Sequence, residues 1–186
     1  EISKTLIFVF KFAVNILDLK NNVAEKCGCI GHARVKRDIY WTLEEYNTFV
    51  DTLRDEQLAA SNHIRRKVDT ATLIAAFNVL FYTGLRIGEL MGLTLDSFDL
   101  DHKTLTVNKQ YQDKKFTEPK TKESYRTLPL SNIVYDDLCK LIDRLVDDNP
   151  NQRLFASLNP SNIRRALDSG ATLAGVKRIR LHDLRH

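Results

Sequence analysis

The chain has 186 residues, 43% of them hydrophobic and 28% charged, a balance that fits one packed domain with an appendage and excludes a disordered polymer. Lysine and arginine outnumber acidic residues 28 to 24, a net charge of +4, which permits a polyanionic partner without demanding one. The three cysteines, Cys27, Cys29 and Cys139, are too sparse for a secreted disulfide framework. The apolar run from Thr5 to Phe10, stopped by Lys11, is too short to span a bilayer, so a cytoplasmic protein without membrane contact is expected. Glu1 opens the chain, the single methionine is Met91, and His186 ends it where a helix reads as just starting; both ends are read as cuts.

In chain order, Ile2, Leu6, Val9, Ala13 and Ile16 recur at helical spacing and predict an amphipathic helix, the member of a small bundle whose other helices are missing. Residues 20–39 lose that pattern and carry Asn21-Asn22, Gly28, Gly31 and the basic run Arg34, Lys36, Arg37, the composition of a linker. Cys27, Cys29 and His32 stand in a C-x-C-x2-H spacing without a second ligand pair, so they predict free thiols, not a metal centre. A new domain is expected from residue 40. Thr42-Leu43-Glu44-Glu45 has the capping-box form and opens a helix bearing Tyr46, Phe49, Val50 and Leu53. Asp69 or Thr70 caps a second helix, apolar from Leu73 to Phe81 and so buried on most sides, which Gly84 ends.

From Thr94 to Pro129 the pattern alternates, and Asp101-His102-Lys103 reads as a turn, so a small antiparallel sheet of three strands is expected. Ser131 caps a helix with Val134, Leu138, Leu141, Ile142 and Leu145 on one stripe, broken at Asn149-Pro150; another is expected over 160–174, and a last one begins near Leu181.

Three short segments carry chemistry. Thr83-Gly84-Leu85-Arg86-Ile87-Gly88-Glu89-Leu90 sets an arginine after a helix-ending glycine, with Glu89 three residues on and so on the same face; an internal ion pair that merely ties the turn explains this as well as function does. Pro119 to Leu130 reads as a β-hairpin tip with Lys120 and Lys122, either solvated edge charges or mobile ammonium groups able to reach a phosphodiester oxygen. Leu181-His182-Asp183-Leu184-Arg185-His186 again pairs side chains at i and i+3: a guanidinium fork matches two phosphate oxygens, and an imidazole moves a proton near neutral pH. A surface helix end with scattered charge is the plainer alternative.

Taken in order, T-G-L-R-x-G-E-L, then K-T-K-x-S-x-R-x-L-P-L, then H-D-L-R-H resemble the catalytic domain of the tyrosine recombinase (phage integrase) family over residues 40–186. Residues 1–19 resemble, less specifically, the last helix of the family's core-binding domain. The resemblance implies an α+β, mainly helical fold with a small three-stranded antiparallel sheet. It implies breaking and rejoining of double-stranded DNA within a homotetramer, through a 3′-phosphotyrosine link. Arg86 and Arg185 would clamp the non-bridging phosphate oxygens. Lys120 would protonate the leaving 5′-oxygen, with Lys122 as the fallback, and His182 would assist proton transfer. Glu89 and His186 would support these groups from behind. No metal or cofactor is implied, because two guanidinium groups supply the positive charge that magnesium supplies elsewhere.

The family's nucleophilic tyrosine lies downstream of H-x-x-R, and Tyr40, Tyr46, Tyr82, Tyr111, Tyr125 and Tyr135 all lie upstream, so the fragment is expected to be inactive and monomeric. Basic residues crowd both flanks of the motifs, and Lys114, Lys115, Arg126, Arg178 and Arg180 are the expected DNA-backbone contacts. Three other readings are a non-catalytic DNA-binding module, a degenerate prophage integrase remnant and a type IB topoisomerase relative.

Overall fold

The computed structural model describes residues 2–27, 40–59, 69–118, 125–145 and 152–185, and the chain divides into two compact units, Glu1–Asp38 and Ile39–His186. The first holds α1 (Ile2–Ile16) and α2 (Val23–Lys26). Leu6, Val9 and Ile16, on the apolar face expected of α1, are 48%, 53% and 62% exposed. The short α2 stands where a linker was expected. Its N-cap is Asn22, whose side chain accepts from the Ala24 N–H and whose amide donates to the Ile7 carbonyl. The signal was Asn22 with Glu25 three residues on, the polar pair that starts helices. Cys29, His32, Gly28, Gly31 and the basic run at 34–37 lie outside the described residues.

In the second unit, α3 (Leu43–Ala59) opens with the expected capping box: the Glu45 carboxylate accepts from the Thr42 N–H at 2.8 Å, and the Thr42 hydroxyl accepts from the Glu45 N–H at 3.2 Å. The Asp69 side chain caps α4 (Thr70–Thr83) by accepting from the N–H groups of Ala71 and Thr72. Every residue from Thr72 to Leu80 is buried, as a helix this rich in apolar residues requires, polar Asn78 included. Phe77 meets Phe49 of α3 edge to face, 5.1 Å between ring centroids. A polar chain crosses this core: the Tyr46 hydroxyl donates to Asn78, and the Asn78 amide donates to Asp137 on α6 (Asn132–Ile142). Each buried group thereby keeps a partner.

Between α4 and α6 come α5 (Ile87–Met91), a 3-10 turn (Leu95–Ser97) and five strands: β1 (Phe98–Asp99), β2 (Thr104–Val107), β3 (Gln110–Gln112), β4 (Lys115–Thr117) and β5 (Arg126–Pro129). The expected three-stranded antiparallel sheet is β1-β2-β5, with Phe98 opposite Leu105 and Arg126 opposite Val107. Strands β3 and β4 form a separate hairpin. Its tip is Asp113-Lys114, both with positive φ (51° and 62°), the twist that a tight two-residue connection favours. The residues on either side of the lysine segment 119–124 therefore belong to different sheets, β4 pairing with β3 and β5 with β2. Residues 119–124, where the hairpin tip was expected, lie outside the described residues.

A Cβ added to Gly92 would stand 2.8 Å from the Gln110 Cα; the bare glycine is what lets β3 lie against the end of α5. Ser131 caps α6, whose Val134, Leu138 and Leu141 are buried with Ile142 and Leu145 packed beside them. Asn149-Pro150 lies outside the described residues. The helix α7 (Pro160–Leu173) starts at Asn159, which accepts from the Asn162 N–H, and carries Pro160 at its first position. The last expected helix is a 3-10 turn, Asp183–Arg185, with Leu184 buried. Among the described residues no helix is long and apolar enough to cross a membrane, and no group of three or more His, Cys, Asp or Glu is placed to hold a metal ion.

Candidate phosphate-binding site

Arg86 owes its position to the end of α4. Gly84 takes the left-handed conformation (φ 64°), its N–H donating to the Leu80 carbonyl, and so turns the chain sharply. The turn buries Leu85 at 2% exposure and leaves Arg86 exposed, at the N-cap of α5. Glu89 then folds back beneath it. Its carboxylate accepts from the Arg86 N–H and from Arg86 Nη1, each at 2.9 Å. Arg126, the first residue of β5, adds Nη2 at 2.9 Å and Nη1 at 3.4 Å to the same two oxygens. Burial works to raise the Glu89 carboxyl, but the hydrogen bonds from Arg126 and Arg86 outweigh it and hold the group below the usual carboxylate range. The ion pair that offered the plain reading of this motif is thus present, and it leaves the outer part of the Arg86 guanidinium uncovered, with the side chain 55% exposed.

The second half of the site comes from the far end of the chain. Trp41 Nε1 donates to the Lys177 carbonyl at 2.7 Å, Lys177 Nζ pairs with Glu45 at 3.1 Å, and Ile179 is buried, so residues 177–179 are held to the start of α3. Asp183 then closes the final turn by accepting from Nε and Nη2 of Arg180, each at 2.8 Å, and from the Arg180 N–H at 3.1 Å. Arg180 is the chief reason its carboxyl lies below the ordinary value. Around a 3-10 turn, residues three apart eclipse one another, which aligns His182 with Arg185 more closely than an α-helix would. Leu184 points into the core, and the Arg185 Cβ comes within 3.9 Å of where a Gly84 Cβ would lie. Two segments about a hundred positions apart thereby meet.

Arg86, His182 and Arg185 line one cavity of about 530 Å³, together with Arg164 of α7 and Arg180. A larger cavity of about 1080 Å³ shares Arg86, Ile87 and Arg164 with it and extends along the β3–β4 hairpin past Tyr111, Lys114 and Arg153. The geometry suits an anion: planar guanidinium forks from two separate segments converge beside an imidazole, with Glu89 already neutralised by its own two arginines.

The other residues singled out in the sequence fall into four groups. Lys114 and Lys115 stand exposed at the hairpin tip and the start of β4. Arg178 and Arg180 are exposed but paired, with Asp168 at 3.1 Å and Asp183 at 2.8 Å. Arg126 is turned inward onto Glu89, its side chain only 25% exposed. Lys120, Lys122 and His186 lie outside the described residues. Arg164 belongs to none of the three motifs, and its place next to buried Ile163 on α7 brings it to the rim, a position sequence reading missed. The same reading missed Arg153 altogether. Arg153 stacks on Tyr111 at 3.8 Å from the ring centroid, a contact across 42 positions that leaves no local pattern.

A mainly helical domain with a small antiparallel sheet, bringing two arginines and a histidine to one cavity, has the architecture of an integrase catalytic domain. Residues 43–186 match the model of the phage integrase family, and the chain belongs to that family. A tyrosine recombinase of Thermosipho africanus is 29% identical over 182 residues, which are 92% of this chain and 55% of that protein. A XerC-like tyrosine recombinase of Caldanaerobacter subterraneus subsp. tengcongensis is 32% identical over 100 residues, 47% of this chain and 25% of that protein. Among solved structures, the Tn1549 transposon integrase in complex with a circular intermediate DNA superposes with a TM-score of 0.74 at 18% identity, over 99% of this chain and 62% of that one. A lambda integrase dimer bound to a core site gives 0.66 at 17% identity, over 99% and 48%. These structural likenesses are ones of fold. The chain thus spans about half the length of the curated relative it matches end to end.

Proposed function

We propose that this chain is the catalytic part of a tyrosine-type site-specific DNA recombinase, which integrates or excises a phage or other mobile element by cleaving and rejoining duplex DNA. The observation that carries the reading is the convergence of Arg86, His182 and Arg185, from segments about a hundred positions apart, on one cavity. Arg86 and Arg185 hold the two non-bridging oxygens of the scissile phosphate and stabilise the charge that develops as the phosphorus becomes five-coordinate. A tyrosine oxygen, supplied after residue 186 in the family's order, forms the bond to phosphorus as the bond to the 5′-oxygen breaks. Lys120, or Lys122 in its place, gives that leaving oxygen its proton, and His182 donates a hydrogen bond to the phosphate and takes part in the proton transfer. Glu89 and His186 orient these groups. Lys114 and Lys115, with Arg178 and Arg180, contact the DNA backbone on either side and contribute salt-dependent affinity without reading sequence. Residues 1–19 are the last helix of a core-binding domain, 20–39 a linker, and the working protein a homotetramer on DNA.

The test is a covalent trap. A protein that carries this chain and continues beyond residue 186 is incubated with a nicked duplex whose short 5′ fragment diffuses away after cleavage. The expected product is a protein–DNA adduct at a 3′ end that survives denaturation. A complex that binds the duplex reversibly and leaves no adduct would favour a DNA-binding module without chemistry.

A further inference from the structure

Where α5 and β5 meet, the charges are unequal: one carboxylate and two guanidinium groups. The Glu89 side chain is 3% exposed, that of Arg126 25% and that of Arg86 55%. Arg126 directs both Nη atoms at the carboxylate, whereas Arg86 spends only Nη1 and its backbone N–H. A carboxylate offers about four lone-pair positions, so Glu89 is saturated by these contacts. A lone arginine beside a carboxylate prefers the two-bond fork. Without Arg126, the fork open to Glu89 is the one on Arg86, three residues away, and it would use N–H groups that a phosphate needs.

We propose that Arg126 is a positioning residue: by holding the inner side of Glu89, it limits Arg86 to a single guanidinium bond and leaves the remaining N–H groups of Arg86 for phosphate. The same contact fixes the first residue of β5 to α5. Arg126 is thus assigned to preparing the site, not to the DNA backbone where its place in a basic stretch had put it. This inference rests on reading the cavity as a phosphate site.

The test follows the Arg86 guanidinium in ¹⁵N-labelled chain during titration with inorganic phosphate, its resonances assigned through Arg86→Lys. In the wild type, Arg86 is expected to shift saturably. Arg126→Gln should raise the phosphate dissociation constant roughly tenfold, as loss of a charge-assisted bond does. Arg126→Lys should recover part of that loss. Adding Glu89→Gln to Arg126→Gln should recover most of it, because a neutral amide no longer holds Arg86. A merely structural role for Arg126 would instead lower the thermal stability of Arg126→Gln while leaving the phosphate dissociation constant of the folded chain unchanged. Unchanged binding in Arg126→Gln, or no recovery in the double variant, overturns the proposal. Should Arg126→Gln fail to fold, the other two variants decide: weak phosphate binding by both overturns it, and recovery in both supports it. A wild-type chain whose Arg86 does not respond to phosphate at all overturns the phosphate reading itself, a result distinct from any of the variants' failures.

Discussion

Alanine at Arg86, in a protein that carries this chain together with a downstream tyrosine, is expected to lower covalent attachment to a nicked duplex by about a hundredfold or more, while duplex affinity changes little. The two effects separate because different groups supply them. Affinity for a polyanion is spread over many lysines and arginines, and losing one phosphate contact costs little of the total. The transition state instead gathers charge on one phosphate, and Arg86 is one of two arginines at the cavity that come from the family's motifs. Arg185→Ala should behave alike. The two differ in stability: Arg86→Ala removes one of the donors that satisfy buried Glu89, so a modest loss of thermal stability should accompany it, whereas among the described residues the turn at Arg185 is closed by Asp183 on Arg180 and not by an ion pair to Arg185. The check is a gel-based count of denaturation-resistant adducts beside a duplex titration at two salt concentrations. Undiminished adduct formation in Arg86→Ala would remove that residue from the site.

The largest expected effect on stability is that of Phe77→Ala. Phe77 is fully buried in α4, edge to face with Phe49, and α3, α6 and the final 3-10 turn all pack around that helix. Removing a buried phenyl ring costs about 3–5 kcal/mol, the lost transfer free energy plus the cavity left behind. In a domain of this size that lowers the melting temperature by roughly 10 °C or more. The loss reaches the site, because the end of α4 sets the Gly84 turn and through it Arg86, while Leu184 seats the opposite half. Thermal and urea unfolding of the two chains measure it. A change below about 1 kcal/mol would mean that α4 is not the central helix of the domain.

Much of this was legible in the sequence where local physics and tertiary structure agree. The capping box at Thr42 and Glu45, the Asp69 cap, the Gly84 stop and the stripe on α6 are short-range signals, and each lies where its pattern put it. The site followed from motif order, since no single motif distinguishes an ion pair from a phosphate clamp. In the case of Arg86 and Glu89 the structure contains the ion pair and the open guanidinium together.

What failed to show in the sequence is long-range. The strand partners of β4 and β5 are set by which edge each finds, and alternation alone could not show that β4 pairs with β3 across the Asp113-Lys114 turn and β5 with β2. Arg126 read as one more basic residue because its partner, Glu89, lies 37 positions earlier. Arg153 and Tyr111 gave no signal for the same reason. The final turn was taken for a helix because H-x-x-R has helical spacing, which a 3-10 turn shares.

The sharing of one phosphate by Arg86 and Arg185 would join two segments about a hundred positions apart. Its most direct test is a crystal structure of the chain soaked with vanadate, a phosphate mimic. A tetrahedral or five-coordinate oxyanion is expected in the smaller cavity, within about 2.7–2.9 Å of guanidinium nitrogens of both Arg86 and Arg185 and in hydrogen-bond reach of His182. An anion held by the hairpin lysines alone, with Arg86 and Arg185 making no shared contact, would contradict it.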